Sequence, residues 1–237
     1  MKVDAGAKLR KSDMNLIEYP DVEMMMMNLS NKIAGELEAH LLTNDSVSFA
    51  VPGGTTPGPI FDVLCGAKHI DWARVNVMLT DERWVPETSD RSNTRLLRER
   101  LLVDAAAVAN YVPLYRETPT PEESLTILET KIFDLLPISV LLLGMGADMH
   151  TASIFPGADN LDAALHGNGL LLPMRVADSP ELRVTLSARV LKRAMNRHIV
   201  IIGKEKRESL ELAKSLSPEE APIAAILPGS TVHWAEI

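Results

Sequence analysis

The chain of 237 residues has one cysteine, Cys65, few aromatics (4%), and fewer basic than acidic side chains, 24 against 32. Each shortage excludes something. A single thiol cannot close an intramolecular disulfide, which suits a reducing, cytoplasmic setting. A formal net charge of -8 disfavours nucleic acid and anionic membrane surfaces as partners. An anionic small substrate stays open, provided that local cations hold it. No uninterrupted apolar run reaches the ~20 residues of a membrane span. The opening "MKVDAGAKLRKSDMN" lacks the apolar centre of a signal peptide, and residues 1–15 read as a loose polar segment.

What is present is a chain that is 46% hydrophobic, enough for one large core. From Asp21, apolar residues recur at Val22, Met26, Leu29, Ile33, Leu37 and Leu41, the spacing of a helix face. Strand-like runs follow at 46–51, 75–80, 138–144, 182–186, 198–203 and 230–237. Between them, helices are expected through "IFDVLCG", 92–102, "VLKRAMN", "KEKRESLELAKSL" and, as a short capped helix, "SPEEAPIAAIL". "TPEES" at 120–124 has Thr120 as N-cap, Pro121 at the first helical position and Glu123 three residues after Thr120, a capping box for a helix to about Leu136. Strands alternating with helices predict a single-domain α/β protein of Rossmann-like form, a mostly parallel sheet with helices on both faces. No repeat, linker or low-complexity stretch divides it.

Ligands in open α/β sheets bind beyond the carboxyl ends of the strands. Four strands end in segments rich in glycine or charge: "PGGTTPG", "TDERWVP", "GMGADMH" and "GKEKR". Gly53 and Gly54 let a ligand approach the backbone, with the hydroxyls of Thr55 and Thr56 beside them. The loop lacks the Gly-Lys-Ser/Thr ending of a phosphate-binding P-loop, and "GMG" lacks the third glycine of a dinucleotide fingerprint. Asp81 and Arg83 stand at a strand end, where the arginine can hold a phosphate with two parallel donors. Lys204, Lys206 and Arg207 sit at a helix start, against the preference of the helix dipole, which favours a ligand role for one of them.

Asp148 and His150 are the sharpest pair. In extended backbone, side chains two residues apart share one side. The carboxylate then fixes the tautomer and the other ring nitrogen is free to take a proton from water. The remaining histidines, His40, His69, His166, His198 and His233, show no metal-ligand spacing among themselves. There is no Gly-x-Ser-x-Gly elbow, and Cys65 sits in an apolar helical stretch as a core residue.

"VPGGTTP", "TDERWVPETSDRSN", "LLLGMGADMHTASIFPG" and "RVTLS" resemble, in order and spacing, the 6-phosphogluconolactonases. The resemblance runs from about residue 20 to the C-terminus. The related glucosamine-6-phosphate deaminases continue with Ile-Ala-Phe-Asn-Glu where this chain has "TASIF", and with Tyr where it has Arg83; both departures favour the lactonase. The resemblance implies a NagB-type fold and hydrolysis of 6-phospho-glucono-1,5-lactone, with no metal or organic cofactor. It implies His150 as general base, Asp148 as its orienting partner, and Arg83 and Lys206 at the phosphate. The Gly53–Thr56 loop and Asp81 would meet the substrate, and Arg183 falls on a further family motif. One residue departs: the family has glycine between this Asp and His, and here it is Met149. If that position is left-handed, the departure costs ~1–2 kcal/mol. A deaminase of the same fold and a non-catalytic sugar-phosphate sensor are the alternatives. The partner expected is a small sugar phosphate, with the chain a monomer or small homo-oligomer.

Overall fold

The computed structural model describes residues 14–177 and 179–237. The expected looseness of the first fifteen residues falls largely outside them. Its last residue does not, because a strand begins there. In chain order the strands are β1 (Asn15–Tyr19), β2 (Val47–Val51), β3 (Val75–Leu79), β4 (Asp81–Arg83), β5 (Asn110–Val112), β6 (Val140–Gly144), β7 (Leu171–Met174), β8 (Arg183–Leu186), β9 (Asn196–Ile202) and β10 (Thr231–Ala235). The helices are α1 (Val22–Leu41), α2 (Gly58–Leu64), α3 (Asn93–Arg100), α4 (Leu125–Phe133), α5 (Leu161–His166), α6 (Ala188–Leu191) and α7 (Lys204–Ala213).

Seven strands form one sheet in the order β1-β10-β9-β6-β2-β3-β5, and every described pairing in it is parallel. All five residues of β2 and the first four of β6 are buried. Alternate side chains point to opposite faces, so complete burial means that both faces are covered. α1 follows the predicted stripe, burying Met25, Met26, Leu29, Ile33, Leu37 and Leu41, and the Asp21 carboxylate caps it by accepting from the Met24 N–H at 2.7 Å. β2 and β6 are neighbours although their paired residues Phe49 and Val140 lie 91 positions apart in the sequence. From these two, the chain's later strands run outward in opposite directions. The crevice above such a reversal is where open sheets bind ligands.

A second, antiparallel sheet of order β4-β8-β7 stands at this edge. Thr80 joins the two sheets: its N–H donates to the Val51 carbonyl in one, and its own carbonyl accepts from Leu186 in the other, at 2.8 and 2.9 Å. One buried apolar cluster runs through both.

Three helix expectations change, the first in "VLKRAMN", where α6 ends at Leu191 and Asn196 already opens β9. Residues 121–123 form a 3-10 turn, Thr120 makes no capping bond to the backbone, and α4 starts only at Leu125. Thr120 Oγ1 donates to the Glu123 side chain at 3.3 Å instead, so the capping box is not closed. "SPEEAPIAAIL" holds a 3-10 turn at Pro222–Ala225 rather than an α-helix. Pro218 and Pro222 each remove an N–H that a longer helix would need.

Candidate active site

The segment after β6 makes a tight turn. Its ties are backbone bonds: Met149 N–H to the Gly146 carbonyl and Gly146 N–H to the His150 carbonyl, both at 3.0 Å. Met149 has φ +65°, in the left-handed region. The condition posed by the sequence is therefore met, and a side chain occupies a conformation suited to glycine. That side chain packs against the core, and the Met149 carbonyl accepts from Ile223 N–H at 3.1 Å. Gly146 is required for a different reason. A Cβ there would run into the His150 ring and the Asp148 carboxylate.

The turn brings His150 Nδ1 to 2.5 Å from Asp148 Oδ1, and the His150 N–H donates to the same oxygen at 3.3 Å. The bond from the imidazole is the main cause that holds the Asp148 carboxyl below its usual range. The carboxylate thus fixes the ring with Nδ1 as donor, leaving Nε2 for other work. The imidazole stacks on Phe155, with centroids 4.1 Å apart and planes at 26°.

A cleft of about 220 Å³ opens at this point. His150 and Gly146 line it with Gly53, Gly54 and Thr56 from beyond β2, Asp81 and Arg83 of β4, Arg183 of β8, and Lys206 of α7. Asp148 is absent from the lining and acts on His150 from behind. Thr55 does not line the cleft either; its carbonyl accepts from Gly58 N–H at 3.2 Å and helps turn the loop into α2. Gly54 has φ +79°, and a Cβ on Gly53 would collide with Asn93.

Three cations face the cleft. Arg83 and Arg183 are cross-strand partners in the β4–β8 pair, which sets two like charges opposite each other. Both Nε atoms are buried without a hydrogen-bond partner. Burial depresses the Arg183 pKa first of all, the Asp81 carboxylate opposes this, and Arg83 adds to it. Unpartnered guanidinium donors beside a cleft are an arrangement that an anion satisfies. Lys206 is distinguished from its neighbours by its company. Lys204 pairs with Glu236 at 2.8 Å, and Arg207 pairs with Glu18 and Glu211 at 3.1 and 3.0 Å. Lys206 alone of the three lines the cleft.

The scaffold behind these groups includes residues that the sequence did not single out. Glu82 is fully buried and accepts from the N–H groups of Arg83, Asn93 and Thr94 at 2.8, 2.8 and 2.7 Å. It thereby ties β4 to the start of α3, a favourable place for a carboxylate. Burial raises its pKa, against the pull of those bonds. Ser153 donates to Asp81 Oδ2 at 2.6 Å and accepts from Arg183 Nη1 at 3.4 Å. Asn93 lines the cleft and donates to the Asp81 carbonyl at 3.0 Å. All three lie inside the motifs read from sequence, but Ser153 finds its partners on strands distant in the chain, and the bonds of Glu82 and Asn93 depend on how β4 meets α3. Among the described residues, no three of His, Cys, Asp and Glu converge where a metal ion could sit, and no helix is long and apolar enough to cross a membrane.

The chain is 37% identical over 211 residues to the 6-phosphogluconolactonase of Pseudomonas aeruginosa, covering 87% of this chain and 88% of that one. Its fold is similar to the crystal structure of a 6-phosphogluconolactonase from Shewanella baltica, with a TM-score of 0.91 and 29% identity over 95% of this chain and 99% of that one. A monomeric glucosamine-6-phosphate deaminase of the NagB superfamily shares the fold at a TM-score of 0.78 and 14% identity, covering 94% of this chain and 97% of that one. The family described as glucosamine-6-phosphate isomerases/6-phosphogluconolactonase matches residues 20–234, nearly the whole α/β architecture and every residue of the cleft, and the chain belongs to it.

Proposed function

We propose that this protein hydrolyses 6-phospho-D-glucono-1,5-lactone to 6-phospho-D-gluconate, the second step of the oxidative pentose phosphate pathway. The observation that carries this reading is the His150–Asp148 pair set in one cleft with three cations. Arg83, Arg183 and Lys206 hold the phosphate, and the lactone ring extends toward His150. His150 Nε2 removes a proton from a water molecule as its oxygen attacks C1. Asp148 stabilises the imidazolium that forms. The C1–ring oxygen bond then breaks, and the proton on Nε2 passes to the departing oxygen. The product is an open-chain carboxylic acid, and the base is regenerated. Backbone N–H groups of the Gly53–Gly54 loop are the candidates for stabilising the charge that develops on the carbonyl oxygen.

The protein acts as a monomer or small homo-oligomer. We read the chain as one sugar-phosphate hydrolase domain, acting in the cytoplasm and independent of nucleic acid. The test generates the lactone in place with glucose-6-phosphate dehydrogenase and follows its loss with and without this protein. Loss faster than spontaneous hydrolysis is the expected result. Spontaneous rates only, with ammonia released from glucosamine 6-phosphate, would assign the deaminase reaction instead. Tight sugar-phosphate binding without either turnover would leave a sensor.

A further inference from the structure

Asp148 holds the imidazole at one point, Nδ1, and one hydrogen bond leaves the ring free to swing about that contact. The direction of Nε2 is fixed only if something also fixes the plane of the ring. Phe155 supplies a flat face to it at 4.1 Å. The same phenyl ring carries a second contact: Arg183 Cζ stands 5.3 Å from its centroid, within cation–π range. The other ties of Arg183, to Ser153 Oγ and Ser179 Oγ, are both long at 3.4 Å. Phe155 itself does not line the cleft. Its backbone is anchored, because its carbonyl accepts from Ala158 N–H at 3.2 Å and the neighbouring Ile154 is fully buried.

We propose that Phe155 is a positioning residue for the reaction: one aromatic ring fixes the plane of the general base and seats a guanidinium of the phosphate site, and so sets the spacing between them. This rests on the lactone-hydrolase reading of the cleft. The phenyl ring never meets substrate. It acts on the chemical step through His150 and on binding through Arg183. Because Arg83 and Lys206 remain to hold the phosphate, the larger effect falls on kcat.

The test compares Phe155→Leu, Phe155→Met and Phe155→Tyr in the full chain. Leucine and methionine keep apolar bulk without a flat face, and tyrosine keeps the face. Expected is a fall in kcat of about tenfold or more for the leucine and methionine variants, with KM within about threefold, and wild-type behaviour within about twofold for tyrosine. A second readout needs no turnover. The His150 ring protons should carry an aromatic ring-current shift in the NMR spectra of the wild type and the tyrosine variant, and lose it in the other two. Unchanged kcat in either folded aliphatic variant overturns the proposal. So does a tyrosine variant as slow as leucine, or a His150 shift indifferent to the ring. If the wild type opens no lactone, the functional reading fails, while the ring-current measurement still decides whether Phe155 fixes the base.

Discussion

His150 and Asp148 are the residues on which the proposed chemistry turns, and their contributions separate. His150→Ala removes the base, and kcat for lactone opening is expected to drop by about 10²–10⁴-fold after correction for spontaneous hydrolysis. Asp148→Asn leaves a neutral partner that no longer stabilises the imidazolium; turnover slows while the folded spectrum is retained. Near-full activity in His150→Ala would remove the base from the mechanism. Met149 poses a separate question of conformational cost. Its φ of +65° favours glycine, but its side chain packs on the core. In Met149→Gly, relief of strain is offset by lost packing and by the entropy of a freer unfolded chain, so the melting temperature should hardly move. Met149→Val puts a β-branched residue in the same conformation and should destabilise by about 1–2 kcal/mol in chemical denaturation. Two equally stable variants would contradict that account.

At the scale of elements, the strand ends do the work, and α7 shows how. Lys204, Lys206 and Arg207 follow Gly203, whose φ is +89°, within one helical turn. Helical geometry puts Lys204 and Arg207, three apart, on neighbouring positions of one face and turns Lys206 away from Lys204. Two find carboxylates and one finds the cleft. Lys206→Ala is expected to raise KM for the phosphorylated lactone several-fold, as loss of one charged hydrogen bond would. Lys204→Ala should leave both constants unchanged. Equal effects would place the phosphate elsewhere. Charge at a helix start left Lys204, Lys206 and Arg207 open and the family resemblance picked Lys206, while helical spacing and short apolar runs located α1, α3, β2, β3, β6 and β9. Sequence reasoning missed β4 and β7, of three and four residues, because alternation cannot be read over so few positions and β7 contains Pro173. It also missed β1, an edge strand in which no residue is fully buried. Missing the small sheet had a consequence for the site: the pairing of Arg83 with Arg183 is a fact of register between β4 and β8, which no local pattern carries.

At the scale of the whole molecule, a polar chain threads the buried sheet away from the cleft. Glu36 Oε2 accepts from His198 Nε2 at 2.7 Å, and Lys32 lies 3.3 Å from the other Glu36 oxygen. His198 Nδ1 and His233 Nε2 share a bond of 3.0 Å, and the Tyr19 hydroxyl and His233 Nδ1 share another of 2.9 Å. These bonds join α1, β9, β10 and β1. Burial, with repulsion from His198 and Lys32 and against the pull of Glu36, depresses the His233 pKa to about 3. The folded state therefore refuses a proton that the unfolded chain accepts at about 6.5. This contribution to stability is whole above pH 6.5 and drains away as pH falls toward 3. Melting temperatures measured over that window should fall, and His233→Gln, which cannot titrate, should give a shallower slope. Parallel slopes would mean that other groups carry the acid sensitivity.

The pairing of β1 with β10 sets Asn15 beside Thr231 and Tyr19 beside Ala235. During synthesis β1 thus has no partner in the sheet until β10 has been made. β9 meanwhile presents a bare hydrogen-bonding rim where β10 will lie. A nascent chain halted before Thr231 should be cut readily by protease within Asn15–Tyr19, and the completed chain should resist. Strands made at widely separated times thus meet at one edge of the sheet.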